Sequence, residues 1–500
     1  MNFQTVSPVP AEADSGAAAH LDTDKAGRQA RPLRFITCGS VDDGKSTLIG
    51  RLLWDTKAVK EDQAATLERE STGRQNELGL PDFALLLDGL QAEREQGITI
   101  DVAYRYFSTD RRSFIVADTP GHVQYTRNMA TGASTADLAV LLVDARAGVL
   151  EQTRRHATIA AMMGIRQFVL AVNKIDLAGY DEAGFRAISR DFKEIALSLG
   201  VRQVTAIPVS ALKGENIVRR GDAAMPWYTG PTLVEVLEKA SQRTGQTTGF
   251  RLPVQRVSRP GEGFRGYQGT VAGGSVKPGD SVVVLPSGVE ANVKAIVTYD
   301  LVRNAAVHGD AITLVLDRPV DVARGDMIAA IDQRPMTGRA FAARLVALSA
   351  EGVAPGKRYW LKAGSRRQRV QVRPTSALDL ATGTWENAGF LPMNGIGTVE
   401  LDFEETAIFD SYETNRDTGA FVLIDPDTLN TVAGGMIDGR RSTSGRYDRL
   451  PDADRATVTL PARLLEAFLK TDFARAHAGE IRVATPGDGG TDDGTNDAAD

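Results

Sequence analysis

The residues best suited to chemistry lie in a glycine-bearing loop, residues 39–46, with the sequence GSVDDGKS. The apolar run at residues 34–38 predicts a buried strand before this loop, and residues 47–53 predict a helix after it. Backbone N–H groups of such a loop, together with the helix N-terminus, bind phosphate groups. Lys45 would reach the β- and γ-phosphates and the Ser46 hydroxyl would ligate Mg²⁺, so we expect a nucleoside triphosphate site. The predicted phosphate-binding residues are Gly39, Ser40, Val41, Asp42, Asp43, Gly44, Lys45, Ser46 and Thr47.

A second candidate loop follows the predicted buried strand at residues 113–117 and reads DTPGH. An acid at Asp118 can hold Mg²⁺ through water, and the Gly121 N–H can meet the γ-phosphate, so this loop would sense that phosphate. His122 is suited to positioning the attacking water or accepting its proton. The alternative is a loop histidine without a catalytic role. The candidate residues here are Asp118, Thr119, Pro120, Gly121 and His122.

A third candidate loop, Asn173-Lys174-Ile175-Asp176, follows the apolar run at residues 168–172. A carboxylate at Asp176 can accept hydrogen bonds from guanine N1–H and the 2-amino group, which adenine does not offer. Asn173 and the Lys174 stem would hold the edge and face of the base. The loop Ser210-Ala211-Leu212 would donate a backbone N–H to guanine O6. These residues predict GTP rather than ATP as the bound nucleotide.

Residues 93–100, EREQGITI, stand between the first two loops, where an ordering segment would bring the Thr99 hydroxyl onto Mg²⁺. The alternative interpretation of the charged run is a solvated helix face. The predicted catalytic residues are therefore His122, Lys45 and Thr99, and the predicted Mg²⁺ ligands are Ser46, Thr99 and Asp118.

The elements that must position these loops are strand-like apolar runs that alternate with helical patterns between residues 32 and 243. This order predicts a doubly wound, mostly parallel α/β sheet, and ligands bind such a sheet at the carboxyl ends of its strands. The predicted strands are residues 35–36, 113–117, 139–143, 168–172 and 205–208.

From Gly249 onward, short β-rich runs alternate with Gly, Pro and Asp turns, which predicts two antiparallel β-barrels at residues 250–333 and 338–440. We expect a disordered arm at residues 1–31 and a disordered acidic tail at residues 485–500. Residues 441–484 are expected to form an extension, in which apolar residues at helical spacing predict an amphipathic helix over residues 461–477.

Composition excludes several classes of protein. The 500 residues are 42% hydrophobic and 24% charged, which is typical of a soluble globular chain of several domains. No apolar run approaches the ~20 residues of a membrane span, so we expect no membrane partner. The single cysteine, Cys38, rules out a disulfide within the chain and favours the cytoplasm. The net charge of −6 argues weakly against nucleic-acid binding, and no nucleic-acid partner is expected.

Taken together, GSVDDGKST, EREQGITI, DTPGH, NKID and SAL resemble the translation-factor class of GTPases. Within that class, Asp43 stands where elongation factors generally have His. This residue, the helix sequence LIGRLLWDT and residues 410–425 resemble the large GTPase subunits of bacterial ATP sulfurylases. The resemblance covers roughly residues 33–437 and implies a GTPase domain followed by two β-barrels.

The same resemblance implies a partner and a reaction. In that family a separate small subunit transfers the adenylyl group of ATP to sulfate, giving adenosine 5′-phosphosulfate and pyrophosphate in sulfate assimilation. GTP hydrolysis on the large subunit, with Mg²⁺, is coupled to this step within a heterodimer or higher assembly. Two alternatives stay open at this point: an elongation factor that delivers aminoacyl-tRNA, and a stand-alone regulatory GTPase.

Overall fold

The computed structural model describes residues 31–59, 61, 64, 67, 81–86, 101–242, 248–261, 264–298 and 301–440. Several predictions fall outside these residues: nearly all of the N-terminal arm, the segment 93–100 with Thr99, the extension with its amphipathic helix, and the acidic tail.

A six-stranded sheet forms the first part of the chain, with the strand order β2-β3-β1-β4-β5-β6. Its strands are β1 (Leu33–Cys38), β2 (Ala103–Ser108), β3 (Ser113–Asp118), β4 (Leu138–Asp144), β5 (Gln167–Asn173) and β6 (Gln203–Pro208). All neighbours pair in parallel except β2, which runs antiparallel to β3 at the sheet edge. The predicted mostly parallel sheet is confirmed. The edge strand was not predicted, because Tyr104 and Tyr106 point outward and leave it without an apolar run.

Helices cover both faces of this sheet. They are α1 (Lys45–Asp55), α2 (Thr126–Thr135), α3 (Glu151–Met162), α4 (Glu182–Ser198) and α5 (Leu233–Lys239), with 3₁₀ turns at Phe83–Leu86 and Val123–Tyr125. Strand β1 shows how the faces divide. Leu33 and Phe35 pack with α1 and α5, whereas Ile36 and Cys38 pack with α2, α3 and α4. Two buried faces explain why these strands read as continuous apolar runs rather than alternating ones.

Cys38 is fully buried in this core, and burial raises the pKa of its thiol to about 12. The thiol is therefore protonated at neutral pH and acts as a small apolar group, as its position in a buried strand predicts.

The second part is an antiparallel sheet of order β7-β16-β11-β12-β15-β9-β8, in which β13 also pairs with β12 and a separate pair joins β10 to β14. Its strands are β7 (Arg251–Pro253), β8 (Arg256–Ser258), β9 (Gly266–Thr270), β10 (Ser275–Val276), β11 (Ser281–Leu285), β12 (Val289–Val297), β13 (Val302–Arg303), β14 (Ala306–Val307), β15 (Ala311–Leu316) and β16 (Met327–Ala330). Only residues 254–255 separate the two edge strands β7 and β8, so the sheet curls round its own apolar core.

The third part is a closed antiparallel barrel, since β18 pairs with both β22 and β19 in the order β18-β22-β23-β17-β21-β19, and β20 adds to β19 outside the ring. Its elements are β17 (Met336–Ala347), β18 (Arg358–Ala363), β19 (Arg366–Leu378), β20 (Trp385–Asn387), β21 (Ile396–Phe409), α6 (Arg416–Gly419), β22 (Ala420–Ile424) and β23 (Thr431–Arg440). The predicted fold class, an α/β domain followed by two antiparallel β-barrels, is confirmed.

Residues 410–418, here called the interdomain segment, join the two barrels. The guanidinium of Arg251 on β7 donates to both carboxylate oxygens of Asp410, at 2.9 and 3.0 Å, and this ion pair is almost fully buried. The Asn415 side-chain amide donates to the Ala272 carbonyl at 2.8 Å. Because each contact crosses from one barrel to the other, the segment holds them together.

The same segment also contacts the α/β domain. The Tyr412 hydroxyl donates to the Met163 carbonyl at 3.2 Å, just beyond the end of α3, and burial raises the pKa of Tyr412 to about 12. The Arg416 guanidinium donates to the Gly164 carbonyl and lies 5.6 Å from the Tyr412 ring centroid. The α/β domain and both barrels therefore meet at nine consecutive residues.

Candidate functional site

The phosphate loop joins β1 to α1 and depends on two positive φ angles. Asp42 has φ 67°, and Gly44, which caps α1, has φ 87°. A side chain at Gly44 is excluded for a second reason, because a Cβ there would lie 2.5 Å from Nδ2 of Asn173. Gly44 thus lets the loop at residues 173–176 approach the phosphate loop closely.

Asp43 closes the phosphate loop on itself. Its carboxylate accepts the Ser40 N–H at 2.5 Å, and the side chain is only 4% exposed. Burial raises the pKa of Asp43, and the hydrogen bond from Ser40 opposes that shift. The sequence singled out Asp43 as a departure from the His typical of elongation factors. The structure gives it a definite role, which is to fix the loop's conformation.

Lys45 lies beneath the loop, 7% exposed, and its ammonium donates to the carbonyls of Gly39 at 3.0 Å and Ser40 at 2.7 Å. Burial lowers the pKa of Lys45, and the nearby Asp118 carboxylate opposes that shift. The structure therefore places a cation and the carboxylate of β3 together at the start of α1, beside Ser46.

The DTPGH loop begins where β3 ends. Asp118 is 1% exposed and lies 3.4 Å from the Thr37 hydroxyl, and the Thr119 hydroxyl donates to the Thr37 carbonyl at 2.7 Å. A Cβ at Gly121 would lie 2.5 Å from Nζ of Lys45 and 2.9 Å from the Val41 nitrogen. This loop and the phosphate loop are therefore in direct contact, at a position that only glycine fits.

His122 is exposed at the end of this loop, and its ring meets Tyr125 edge-on with centroids 6.4 Å apart. The side chain is thus accessible to solvent beside the loop that contacts Lys45. This placement leaves the predicted catalytic role of His122 as a hypothesis, taken up below.

Asn173 ties two loops together and is only 1% exposed. Its Nδ2 donates to the Asp43 carbonyl at 2.7 Å, and its Oδ1 accepts the Ala211 N–H at 2.9 Å. We expected Asn173 to hold the base edge and the loop at residues 210–212 to supply the N–H for guanine O6. In the structure the Ala211 N–H is taken by Asn173, so the asparagine joins the phosphate loop to the 210–212 loop.

Lys174 and Asp144 form a charged pair that sequence reasoning missed. Lys174 has φ 58°, and its ammonium lies 3.2 Å from the Asp144 carboxylate. Arg146 donates to both oxygens of the same carboxylate, at 3.0 and 2.7 Å. The hydrogen bonds from Arg146 hold the pKa of Asp144 far below its usual range. The available signal was an acid directly after the apolar run of β4, at the same sheet edge as the predicted loops.

Asp176 and Ser210 lie at this edge as predicted from their loops. The Asp176 side chain is 7% exposed, 3.9 Å from the Lys213 ammonium, and Ile175 between Lys174 and Asp176 is buried in the core. Ser210 is buried, and its hydroxyl accepts the Lys213 N–H at 3.2 Å. Leu212 offers its carbonyl to Arg51 of α1 at 3.0 Å.

The donor set fits Mg²⁺ better than a metal held by protein alone. Among the described residues, His, Cys, Asp and Glu form no group of three that could hold a metal ion. One carboxylate, Asp118, and one hydroxyl, Ser46, stand beside the phosphate loop, and Mg²⁺ typically takes one or two such ligands with phosphate oxygens and water. Among the residues that the structure describes, no helix has the length and apolar character needed to cross a bilayer.

Comparison with known proteins agrees with this geometry. Residues 30–243 match the family described as the Elongation factor Tu GTP binding domain, and residues 340–438 match the GTP-eEF1A C-terminal domain-like family. With these loops gathered at the strand ends, residues 30–243 form a GTP-binding domain of the elongation factor Tu class.

Its relatives are more specific. A protein of Rhizobium meliloti (strain 1021) named Sulfate adenylyltransferase subunit 1 is 72% identical over 468 residues, which are 93% of this chain and 94% of the relative. Proteins of the same name from Agrobacterium fabrum and Citrobacter koseri are 69% and 50% identical, over 96% and 81% of this chain and 97% and 86% of the relatives. The chain belongs to the sulfate adenylyltransferase subunit 1 family and is an enzyme subunit, which confirms the resemblance found in the sequence.

Proposed function

We propose that this chain binds GTP with Mg²⁺ at the loops described above and hydrolyses it as the GTPase subunit of a two-subunit sulfate adenylyltransferase in the cytoplasm. The observation that carries the proposal is the Asn173 bridge between the phosphate loop and the 210–212 loop. It would join the proposed phosphate-binding loop to the proposed base-binding loop in one site, as recognition of a whole nucleotide requires.

In the proposed complex, the phosphates lie against the backbone N–H groups of residues 39–46 and the N-terminus of α1. Lys45 would exchange the Gly39 and Ser40 carbonyls for β- and γ-phosphate oxygens, a short movement for an ammonium already at the loop. Ser46, Asp118 and Thr99 would hold Mg²⁺, which neutralises phosphate charge when bound.

Guanine would be recognised by Asp176, whose carboxylate accepts from N1–H and the 2-amino group. The Lys174 ammonium is held by Asp144 beside this loop, which supports a role for the Lys174 stem in covering the base. Because the Ala211 N–H is occupied by Asn173, we assign the donor for O6 to the neighbouring Leu212 N–H.

Hydrolysis would depend on the DTPGH loop. Gly121 lies against Lys45 and the phosphate loop, so its N–H can reach the γ-phosphate with little movement. His122 follows directly and, from its exposed position, would turn inward to orient the attacking water. Loss of the γ-phosphate would release both residues, giving two states of the same loop.

Coupling to sulfate chemistry would pass through a partner. In this proposal the small subunit transfers the adenylyl group of ATP to sulfate, breaking the α,β-phosphoanhydride and forming the phosphosulfate bond with release of pyrophosphate. A small subunit that contacts one loop state better than the other would have its own equilibrium shifted by that difference. Tyr412 and Arg416 support a route to the barrels, because they contact the end of α3.

The test is formation of adenosine 5′-phosphosulfate from ATP and sulfate by this chain mixed with its small subunit, with and without GTP. Product that rises with GTP, together with GTP turnover that needs the small subunit, is the expected result. Product that ignores GTP, alongside hydrolysis stimulated by ribosomes and aminoacyl-tRNA, would overturn the proposal in favour of an elongation factor.

A further inference from the structure

One face of the third barrel carries an unusual concentration of positive charge. Strands β18 and β19 form a hairpin, and their side chains alternate between the buried core and solvent. The outward side chains that concern us are Arg358, Trp360, Lys362, Arg367 and Arg369, here called the basic hairpin face.

The register of the hairpin places like charges against each other. Lys362 pairs directly across the strands with Arg367, and Trp360 with Arg369. Cations that face each other in adjacent strands destabilise a sheet, so this arrangement carries a cost to folding. The indole of Trp360 offsets part of that cost, because the guanidinium carbons of Arg367 and Arg369 lie 4.0 and 5.0 Å from its ring centroid.

Among the described residues, two cations of this region, Arg358 and the neighbouring Arg373, have acidic partners. Arg373 pairs with Glu400 on β21, and Arg358 lies 3.9 Å from Glu404. Within the described part of the chain, no carboxylate forms an ion pair with Lys362, Arg367 or Arg369. In a protein of net charge −6, three adjacent unneutralised cations stand out as a place where an anion would be stabilised.

We propose that the basic hairpin face docks an acidic segment of the partner subunit, an inference that rests on the proposed function above. Arg and Trp are the residues most enriched at the centres of protein interfaces, and a planar guanidinium pairs carboxylates with two parallel hydrogen bonds. Nucleic acid fits less well. Two guanidinium groups already lie within 5.0 Å of the Trp360 ring centroid and would compete with a stacked base for that ring.

The test measures binding of the full chain to the small subunit by isothermal titration at low and high salt. The variant is Lys362→Glu, Arg367→Glu and Arg369→Glu together, with the same three residues changed to Gln as a milder second variant. The matched control reverses three exposed cations elsewhere, Lys193→Glu, Arg202→Glu and Lys294→Glu. Urea unfolding of each variant without the small subunit reports folding, and none of these residues touches the nucleotide loops.

The charge-reversed hairpin should bind at least about tenfold more weakly at about 50 mM salt, with a smaller ratio at about 500 mM, while the control binds like the wild type. If the hairpin variant and the wild type bind the small subunit with equal affinity, the inference is overturned and the proposed function is not. Binding of an RNA duplex that the variant loses, with subunit binding intact, would also overturn it. A wild-type chain that binds no small subunit would overturn the inference and the proposed function together.

Discussion

Asn173→Ala provides a quantitative test of the nucleotide site. The substitution removes two buried hydrogen bonds, from Nδ2 to the Asp43 carbonyl and from the Ala211 N–H to Oδ1. Each buried polar group left without a partner costs about 1–3 kcal/mol, so the pair is worth about 2–6 kcal/mol. In the nucleotide-free Asn173→Ala variant the two loops can separate, so that water reaches both the Asp43 carbonyl and the Ala211 N–H. Binding GTP would force the loops together again, so the cost appears in affinity.

Allowing for partial relaxation of the bound loops, we expect about 2–4 kcal/mol in binding, which weakens GTP affinity about 30- to 1,000-fold. The measurement is a fluorescence titration with a labelled guanine nucleotide in the presence of Mg²⁺. The free energy of unfolding is measured in urea on the same samples, so that loss of structure is separated from loss of affinity.

The chain offers a closely matched control in Asn216, which is also 1% exposed. Its Nδ2 donates to the Pro208 carbonyl at 2.9 Å and its Oδ1 accepts the Gly221 N–H at 2.9 Å, but neither partner belongs to a nucleotide loop. Its φ of 59° adds strain for alanine, so Asn216→Ala should destabilise the fold at least as much. The reasoning is refuted if Asn173→Ala keeps its GTP dissociation constant within about threefold of wild type while losing stability as the control does.

Four further predictions concern single side chains. Lys45→Ala should slow GTP hydrolysis about 100- to 1,000-fold in a phosphate-release assay, and unchanged turnover would contradict the phosphate-loop assignment. Asp176→Asn should lower the preference for GTP over xanthosine triphosphate, whose 2-oxo group accepts from an amide; an unaltered ratio of affinities would count against the assigned role. Burial lowers the pKa of His156 to about 3, so the unfolded chain binds the extra proton below about pH 6.5 and stability falls as pH drops, by about 1.4 kcal/mol per pH unit. His156→Gln should flatten that slope in urea unfolding between about pH 6 and 4, and an equally steep slope would contradict it. Arg251→Ala leaves the buried Asp410 carboxylate without its guanidinium partner and should lower the free energy of unfolding by about 3–5 kcal/mol. A loss below about 1 kcal/mol would show that water replaces the missing guanidinium.

The sequence predicted the position of the nucleotide loops because each follows a buried strand and parallel strands end at one sheet edge. Gly44, Lys45, Asp118 and Asp176 could be placed at that edge for this reason, from residue type and distance to the strand alone. Their detailed contacts could not. The approach of Gly121 to Lys45, for example, depends on residues that are far apart in the chain and carry no local pattern.

Contacts between distant elements account for most of what was missed. The Asn173 bridge and the pairing of Lys174 with Asp144 require the folded sheet edge before they can be recognised. Strand β2 was overlooked because an edge strand exposes one face and one backbone edge, and therefore lacks the apolar run that marked its neighbours.

The interdomain segment determines how far this molecule can be divided into modules. Separating the α/β domain from the barrels would bare the Met163 and Gly164 carbonyls that Tyr412 and Arg416 satisfy. A cut between the barrels would separate the Arg251 guanidinium from its Asp410 partner. Recombination of domains with other members of the class would therefore have to carry residues 410–418 and their three sets of partners as one unit.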